Sequence, residues 1–485
     1  MTAITHTVPF VGRRAFSPGV RVIGGFVATI ALLLVLRQDA LLRVLVPILG
    51  TAVAIWTYRH LSFAAYLSLA WWFWFIVPGL RRIVDYQAGG WNPENPISLT
   101  PFLVSAVAVA AVIRRLPELR RPQLWPWVVA IACLAVGFLA GVLLNGPLPA
   151  VHALAEWMTP LLLGLAVAVE WRRYPAIAAV LTRTFVWGVL VLSIYAVIQF
   201  LVAPAWDRQW VESSGMTSVG FAFPYRIRVF SLMNGPLSFA VVLLAGMLLA
   251  LASRGHARVA TLTAATVALI LTLVRSVWLA LPVGIVIYFL ALPMRSLRRA
   301  AVTGLVACTL ALGVPYLLPG DLRESVLQIV TDRAQSLGSL HQDISYNERT
   351  SFADQMGVVV LDNPIGHGLG STGVSSELGD AGTGIRDFDS GILAVLYALG
   401  WFAGAAFLAA AVGVVVLGMA RREVRADTVA KAARAIAVAT LALSLGGNVF
   451  EGVSGAVFWT FAGMLMAAHR WSAVASPSAR RAEAR

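Results

Sequence analysis

Residues 176–203 read AIAAVLTRTFVWGVLVLSIYAVIQFLVA, and Arg183 is the only charged residue among them. A helix rises about 1.5 Å per residue and closes its own backbone hydrogen bonds, so such a stretch can cross a hydrocarbon core of about 30 Å. Similar apolar runs recur along the whole chain of 485 residues, of which only 12% are charged. We therefore predict an all-α fold, a polytopic transmembrane helical bundle of about 12 to 14 spans.

Short arginine-rich loops indicate how these spans are oriented, because such loops remain on the cytoplasmic side. Each is separated from the next by an even number of predicted spans. The loops lie at 114–121, 172–173, 295–299 and 421–434. This pattern predicts that both termini are cytoplasmic and that residues 81–96, 204–235 and 319–388 lie outside.

The predicted domains follow from this topology. They are a cytoplasmic tail at 1–19, a transmembrane helical bundle at 20–318, a large extracytoplasmic loop at 319–388, C-terminal transmembrane helices at 389–470 and a cytoplasmic tail at 471–485. We expect a multi-pass membrane protein whose largest loop lies outside the cytoplasm. The net charge of +14 is spread among the loops and forms no single basic face, so no nucleic-acid partner is predicted.

The large loop has the sequence features of an ordered segment. Apolar residues at helical spacing in Asp321–Leu337 predict an amphipathic helix on the membrane surface. Ser345–Glu348 resembles a capping box that opens a second helix, and Asn363-Pro364 would end it. A glycine-rich turn follows at 366–373. It contains a G-x-G-x-x-G match, but no predicted strand precedes it, so a dinucleotide site is not expected.

Arginines at the outer boundary are the first candidates for chemistry, because a charge at membrane level is costly unless it is paired or faces a cavity. Arg275 lies where two apolar segments meet with almost no loop. Arg226 and Arg228 precede another span, and alternation would place both side chains on one face if this stretch is extended. Paired guanidinium groups suit a diphosphate, since each donates two parallel hydrogen bonds. The alternative is snorkelling or ordinary interfacial anchoring.

Asp389, where the large loop enters the next helix, is the candidate acid or base. A carboxylate partly removed from water gains proton affinity, which suits a general base, although aspartate is also a common helix N-cap. Asp387 and Asp389 form a D-x-D match, but two carboxylates alone make a poor cage, so we predict no metal site. His367 lies in the glycine-rich turn and is first interpreted as a turn residue. No nucleotide-binding loop is present in the sequence, and no cofactor is predicted.

The order of these features resembles the O-antigen ligase and O-antigen polymerase superfamily, bacterial membrane enzymes of GT-C-like type. Five segments carry the resemblance. They are Arg228–Pro236, Thr272–Leu281, Asn347–Arg349, Asn363–Gly370 and Asp389–Trp401. The chain departs from the family at two places. Thr-Leu-Val-Arg stands at 272–275 in place of Thr-x-Ser-Arg, and Asp389-Ser390 stands where ligases have a His-Asn pair.

The resemblance implies a glycosyltransferase that polymerises or ligates undecaprenyl-diphosphate-linked oligosaccharide on the outer face of the membrane, without a metal. The implied roles are catalytic for Arg228, Arg275 and Asp389, and substrate-binding for Arg226, Arg349 and His367. The carboxylate in place of the ligase histidine counts against ligase activity and would suit a polymerase or an exopolysaccharide variant, but polymerase and ligase both stay open. The resemblance also implies the cell inner membrane, with the active site facing the periplasm or the cell exterior. The implied partners are the lipid-linked donor, a glycan or lipid acceptor, membrane lipids, and proteins that flip the donor and control chain length. The alternative function is a flippase for the same lipid-linked oligosaccharide.

Overall fold

The computed structural model describes residues 18–214, 219–255, 257–317, 356–378, 390–419 and 427–475, together with Phe388 and single positions between 320 and 335. Its first helices are α1 (Pro18–Val35), α2 (Asp39–His60), α3 (Phe63–Gln87), α4 (Thr100–Ala106), α5 (Val109–Arg114), α6 (Trp125–Leu144), α7 (Pro147–Val169), α8 (Tyr174–Val202) and α9 (Ala205–Ser213). The others are α10 (Pro236–Ala252), α11 (Ala257–Thr272), α12 (Arg275–Leu290), α13 (Met294–Gly313), α14 (Gly373–Ser376), α15 (Gly391–Met419), α16 (Thr428–Leu443) and α17 (Gly452–Ala475).

These helices confirm the predicted fold class. Among the described residues, ten helices are long and apolar enough to cross a membrane, and α10, α11 and α12 are shorter apolar helices. The described part has no β-strand, only an isolated bridge between Gly220 and Ile227. The chain is therefore a multi-pass membrane protein built as a helical bundle.

One predicted boundary is wrong. We expected residues 81–96 to form an outside loop, but α3 continues to Gln87 and includes Arg81, Arg82 and Asp85, all of them buried. The helix can continue because these charges are paired. The Nε of Arg81 lies 3.5 Å from Asp85 Oδ2, and the Nε of Arg82 lies 3.0 Å from Asp207 Oδ1.

The centre of the bundle is the contact between α7 and α17. The apolar window of α17 is 89% buried, the highest share among the candidate spans. Glycines allow the two backbones to approach each other, since a Cβ at Gly463 would lie 2.1 Å from the carbonyl oxygen of Gly164. Small residues at such crossings are the usual basis of close helix packing in membranes.

Three of the predicted cytoplasmic loops meet at one end of the bundle. Glu118 is the centre of this contact, because it accepts hydrogen bonds from Arg470 and Arg172 and pairs with Arg121 at 2.9 Å. Glu170 pairs with Arg115 and Arg173, and Tyr174 donates to Asp427. Burial acts to raise the pKa of Glu118, but the hydrogen bond and charge of Arg470, together with Arg121 and Arg172, bring the pKa below its usual value of 4.5.

The predicted end of the second loop helix, at Asn363-Pro364, is confirmed in the described part of the large loop. Residues 356–362 are helical, and the helix ends before Asn363-Pro364 as expected. The predicted start at Ser345–Glu348 lies outside the described residues. Within the predicted helix Asp321–Leu337, the few described positions are helical, and they are Arg323, Glu324, Leu327, Gln328, Thr331 and Gln335.

Candidate functional site

Arg228 and Arg275 converge on the turn between α11 and α12. The guanidinium of Arg228 donates from Nε to the carbonyl oxygen of Thr272 and from Nη2 to that of Leu273, each at 3.2 Å. Arg275 is the first residue of α12 and is only 9% exposed. Two arginines from separate parts of the chain therefore meet at one short turn, since Arg228 binds its carbonyl groups and Arg275 directly follows it.

The backbone on both sides of these arginines adopts an uncommon conformation. Tyr225, Ser231 and Leu273 are non-glycine residues with positive φ angles of 65°, 56° and 54°. A left-handed backbone conformation at a non-glycine residue destabilises the folded protein by about 1 to 3 kcal/mol, and it persists only where surrounding contacts hold it. The segment around Arg228 and the turn before Arg275 are both held in this way, which is a pattern that functional sites share.

The side chains of Arg226 and Arg228 do not share one face of an extended segment, as the sequence predicted they would if the segment were extended. Arg226 is exposed and lies in a turn, where its N–H donates to the carbonyl oxygen of Phe223 at 3.2 Å. Arg228 is half-buried, and its N–H donates to the carbonyl oxygen of Val219 at 2.9 Å. The extended geometry on which the same-face expectation depended is therefore not present at Arg226.

The glycine-rich turn inserts between helices of the bundle. Gly366, Gly368, Gly370 and Gly373 all have positive φ, from 69° to 88°. A Cβ at Gly368 would lie 2.4 Å from the nitrogen of Gly141 in α6, and one at Gly370 would lie 2.7 Å from the carbonyl carbon of Pro149 in α7. Only glycine combines this backbone angle with so close an approach.

The same turn is bonded to a break in α15. Gly400 has φ 76° and ψ −178°, so the helix is interrupted there. The N–H groups of His367 and Gly368 donate to the carbonyl oxygens of Tyr397 and Ala398 at 2.8 and 3.0 Å, and Trp401 N–H donates to Pro364 at 3.0 Å. The interrupted helix thus supplies the backbone partners that fix the turn at membrane level.

His367 contacts the turn's supporting helices. Its ring is stacked on Tyr397 with centroids 4.0 Å apart and an interplanar angle of 7°. Its carbonyl oxygen accepts a hydrogen bond from Asn145 Nδ2 at 2.8 Å, and Asn145 also donates to the carbonyl oxygen of Leu369 at 3.2 Å. These contacts give His367 a part in fixing the turn.

A chain of contacts connects the turn between α11 and α12, residues 272–275, with the start of α15. A Cβ at Gly446 would lie 3.5 Å from the Cβ of Ser276, the neighbour of Arg275. A Cβ at Gly391, the first residue of α15, would lie 2.6 Å from the carbonyl oxygen of Gly447. Tyr397 follows Gly391 by six positions, about 9 Å along a helix axis. Residues 446–447 therefore link the start of α12 to the start of α15, the helix to which the glycine-rich turn is bonded.

Asp389 and Arg349, two of the predicted site residues, lie outside the described residues. The described neighbours of Asp389 are packed: Phe388 forms an apolar cluster with Val360, Ala394 and Tyr397. This cluster holds helical residues 356–362 against the first two turns of α15.

Sequence reasoning missed a polar cluster on α7. Ser375 Oγ lies 2.8 Å from His152 Nδ1 and donates to Glu156 Oε2 at 3.1 Å. Ser375 follows the glycine-rich turn, so the cluster joins the loop to α7 as well. The available signal was Glu156 itself, because a carboxylate inside an apolar span is rare and needs a partner.

Comparison with known proteins finds a family model that matches part of the chain. Residues 259–408 match a family model described as O-antigen ligase. The matched region begins within α11 and ends within α15, so it includes Arg275 and the glycine-rich turn, and Arg228 precedes it. No curated protein matches the chain. The resemblance indicated by the sequence is confirmed over this region: the chain is a multi-pass membrane protein whose residues 259–408 match the O-antigen ligase family model.

Proposed function

We propose that this protein is a membrane-embedded glycosyltransferase that polymerises or ligates an undecaprenyl-diphosphate-linked oligosaccharide on the outer face of the cytoplasmic membrane. The observation that carries the proposal is the convergence of Arg228 and Arg275 on the turn between α11 and α12. The family match supports the coarser conclusion, a membrane enzyme of glycosyl transfer of the ligase or polymerase type.

In the proposed reaction, a hydroxyl of the acceptor sugar attacks the anomeric carbon of the donor and the diphosphate leaves. Diphosphate is a good leaving group, so the main requirement is stabilisation of its developing negative charge by fixed cations. Arg228 and Arg275 would meet this requirement: planar guanidinium groups match phosphate oxygens bidentately, and that of Arg228 is already held by two backbone carbonyl groups. No metal is needed in this scheme.

Asp389 is proposed as the general base that accepts the proton of the attacking hydroxyl. Such a base contributes about 10² to 10⁴ in rate. Arg226, Arg349 and His367 are proposed to bind the substrate around it. The packing of Gly391 beside Gly447, and of Gly446 beside Ser276, supports a base at the start of α15 acting near Arg275.

The test uses a strain that lacks the gene and is complemented with variants, scored by the size of the surface polysaccharide and the amount of lipid-linked repeat unit. We expect Arg228→Ala, Arg275→Ala and Asp389→Ala to lose polymer while lipid-linked units accumulate. Arg275→Lys should also be impaired, because lysine keeps the charge but not the bidentate geometry. Arg298→Ala is the matched control, since Arg298 is exposed and belongs to α13. Wild-type polymer in Arg275→Ala at normal protein levels would overturn the proposal.

A further inference from the structure

We infer that Arg82, Asp207 and Gln199 are positioning residues that hold the Arg228 segment in its active geometry. This inference rests on the proposed function of Arg228. The three side chains come from α3, α9 and α8, and each is almost completely buried, with exposures of 1%, 0% and 0%. Among the described residues, no hydrogen bond or ion pair joins them to residues 272–275, so their effect would be transmitted through the backbone of residues 230–233.

Arg82 binds the carbonyl groups of this segment. Its Nη2 donates to the carbonyl oxygen of Ser231 at 2.6 Å, and its Nη1 donates to that of Met233. Its guanidinium carbon lies 4.7 Å from the ring centroid of Phe230, within the range of a cation–π contact. A single guanidinium therefore contacts three of the residues that follow Arg228.

Gln199 binds the N–H groups of the same segment. Its Oε1 accepts hydrogen bonds from the N–H groups of Phe230 and Ser231, both at 2.9 Å. Ser231 is also the residue with φ 56°, and its Oγ donates to the carbonyl oxygen of Leu192 at 2.7 Å. The strained conformation is thus held by contacts to both its donors and its acceptors.

Asp207 joins the two side chains. Its Oδ1 lies 3.0 Å from the Nε of Arg82, and its Oδ2 accepts hydrogen bonds from Gln199 Nε2 and Tyr195 Oη, both at 2.8 Å. A buried ion pair contributes little net stability, but removing one partner leaves an uncompensated charge. Its retention here is explained by geometry: Asp207 holds both the guanidinium that binds the carbonyl groups of the segment and the amide that binds its N–H groups.

The neighbouring pair of Arg81 and Asp85 provides a matched control. Arg81 lies on the same helix, is also buried, and pairs with Asp85 at 3.5 Å. However, its Nη2 donates to the carbonyl oxygens of Asn92 and Pro93, at 2.6 and 3.3 Å, in the loop after α3. Loss of Arg81 should therefore affect that loop and leave residues 229–235 unchanged.

The first experiment measures amide hydrogen exchange in the purified full-length protein. In Arg82→Met, and to a smaller extent in Arg82→Lys, peptides covering 229–235 should exchange about 10-fold faster or more, while peptides covering 88–95 stay as in the wild type. Arg81→Met should give the reverse pattern. Unchanged exchange at 229–235 in Arg82→Met would overturn the inference whatever the activity of the protein.

The second experiment measures polysaccharide formation per unit of folded protein. We expect a loss of about 10²-fold in Arg82→Met, because misplacing a charge-stabilising group by about 1 Å has an effect of that size. Arg81→Met should stay within about 2-fold of the wild type. In an Arg228→Lys background, which retains a charge, Arg82→Met should add less than about 2-fold, since the group that it positions is already impaired.

Two results would separate the inference from the proposed function. Independent, multiplicative losses for Arg82→Met and Arg228→Lys would overturn the positioning role while leaving Arg228 in the reaction. Wild-type activity in Arg228→Lys and Arg228→Ala would instead contradict the proposed function, and the exchange experiment would still decide whether Arg82 holds the segment.

Discussion

Gly368→Ala tests whether the glycine-rich turn must lie against α6 and α15. The substitution has two separate effects. Its φ of +75° is a left-handed conformation that costs alanine about 1 to 2 kcal/mol. In addition, the new Cβ would lie 2.4 Å from the nitrogen and 2.5 Å from the Cα of Gly141, so the turn has to move away from α6.

The second effect can be estimated from the contacts that the turn would lose. Four of the hydrogen bonds that fix it are made at residues 367–369: Gly368 N–H to Ala398 at 3.0 Å, Leu369 N–H to Gly137 at 2.9 Å, and two from Asn145 at 2.8 and 3.2 Å. Each is worth about 0.5 to 1.5 kcal/mol, so loss of half of them should destabilise the protein by about 1 to 3 kcal/mol beyond the φ effect.

Gly89→Ala is the matched control for this prediction. Gly89 has φ +94°, but a Cβ there would meet no atom within 4 Å. We expect the Tm of detergent-purified Gly368→Ala, measured at one fixed heating rate, to fall several degrees below that of Gly89→Ala. Equal losses of Tm in the two variants would show that the turn can shift away from α6 without an energetic cost, which would contradict its close packing.

Three further predictions concern other contacts. Gly463→Ala should lower the Tm, since its Cβ would lie 2.1 Å from the carbonyl oxygen of Gly164. Gly24→Ala is the control and should leave the Tm unchanged, because a Cβ there would meet nothing within 4 Å. Equal Tm values for the two variants would argue against close packing of α7 and α17. Because arginines hold the pKa of Glu118 below its usual value against the effect of burial, its contribution to stability is complete above about pH 4.5 and is lost as the pH falls through the lowered pKa. The acid-induced loss of Tm should therefore be smaller in Glu118→Gln, and an unchanged profile would contradict this. Trp401→Phe removes the 2.6 Å hydrogen bond from Trp401 Nε1 to the carbonyl oxygen of Val360, so amide exchange in residues 356–362 should become faster. Exchange at the wild-type rate there would show that this bond does not hold the loop.

The helices were predictable because hydropathy reports directly on membrane burial. Apolar runs predicted the spans, and Asn363-Pro364 predicted the end of the helix before it, because proline disfavours helical backbone in the preceding residue. The alternating glycines after it predicted a turn, and Gly366, Gly368 and Gly370 all adopt positive φ. In each case the signal is local in sequence.

Contacts between distant parts of the chain were not predictable in this way. Arg82 was assigned to an outside loop because a single sequence does not show that Asp207 pairs with it. The break at Gly400 was also missed. Its flanking residues are apolar on both sides, so hydropathy shows one continuous span, and only the approach of residues 364–366 explains why the helix is interrupted there.

Arg275 was identified because its position conflicts with membrane burial, and Arg228 because of its spacing before a span. The family resemblance implied that both act at one diphosphate, but no sequence pattern indicated the contact that joins them. Their convergence depends on positive φ at Ser231 and Leu273, which neither residue type favours, so it arises from the tertiary contacts of the two segments.

The most direct test of the proposed outer-face glycan transfer is the leaflet in which lipid-linked repeat units accumulate in cells carrying Arg275→Ala. The units can be located by periodate oxidation of intact spheroplasts under conditions in which the reagent does not cross the membrane. The proposed glycosyltransferase predicts that the accumulated units are oxidised, because they have been flipped but not transferred. Accumulation of protected units in the inner leaflet would identify a failed flippase instead, and would contradict outer-face glycan transfer by this protein.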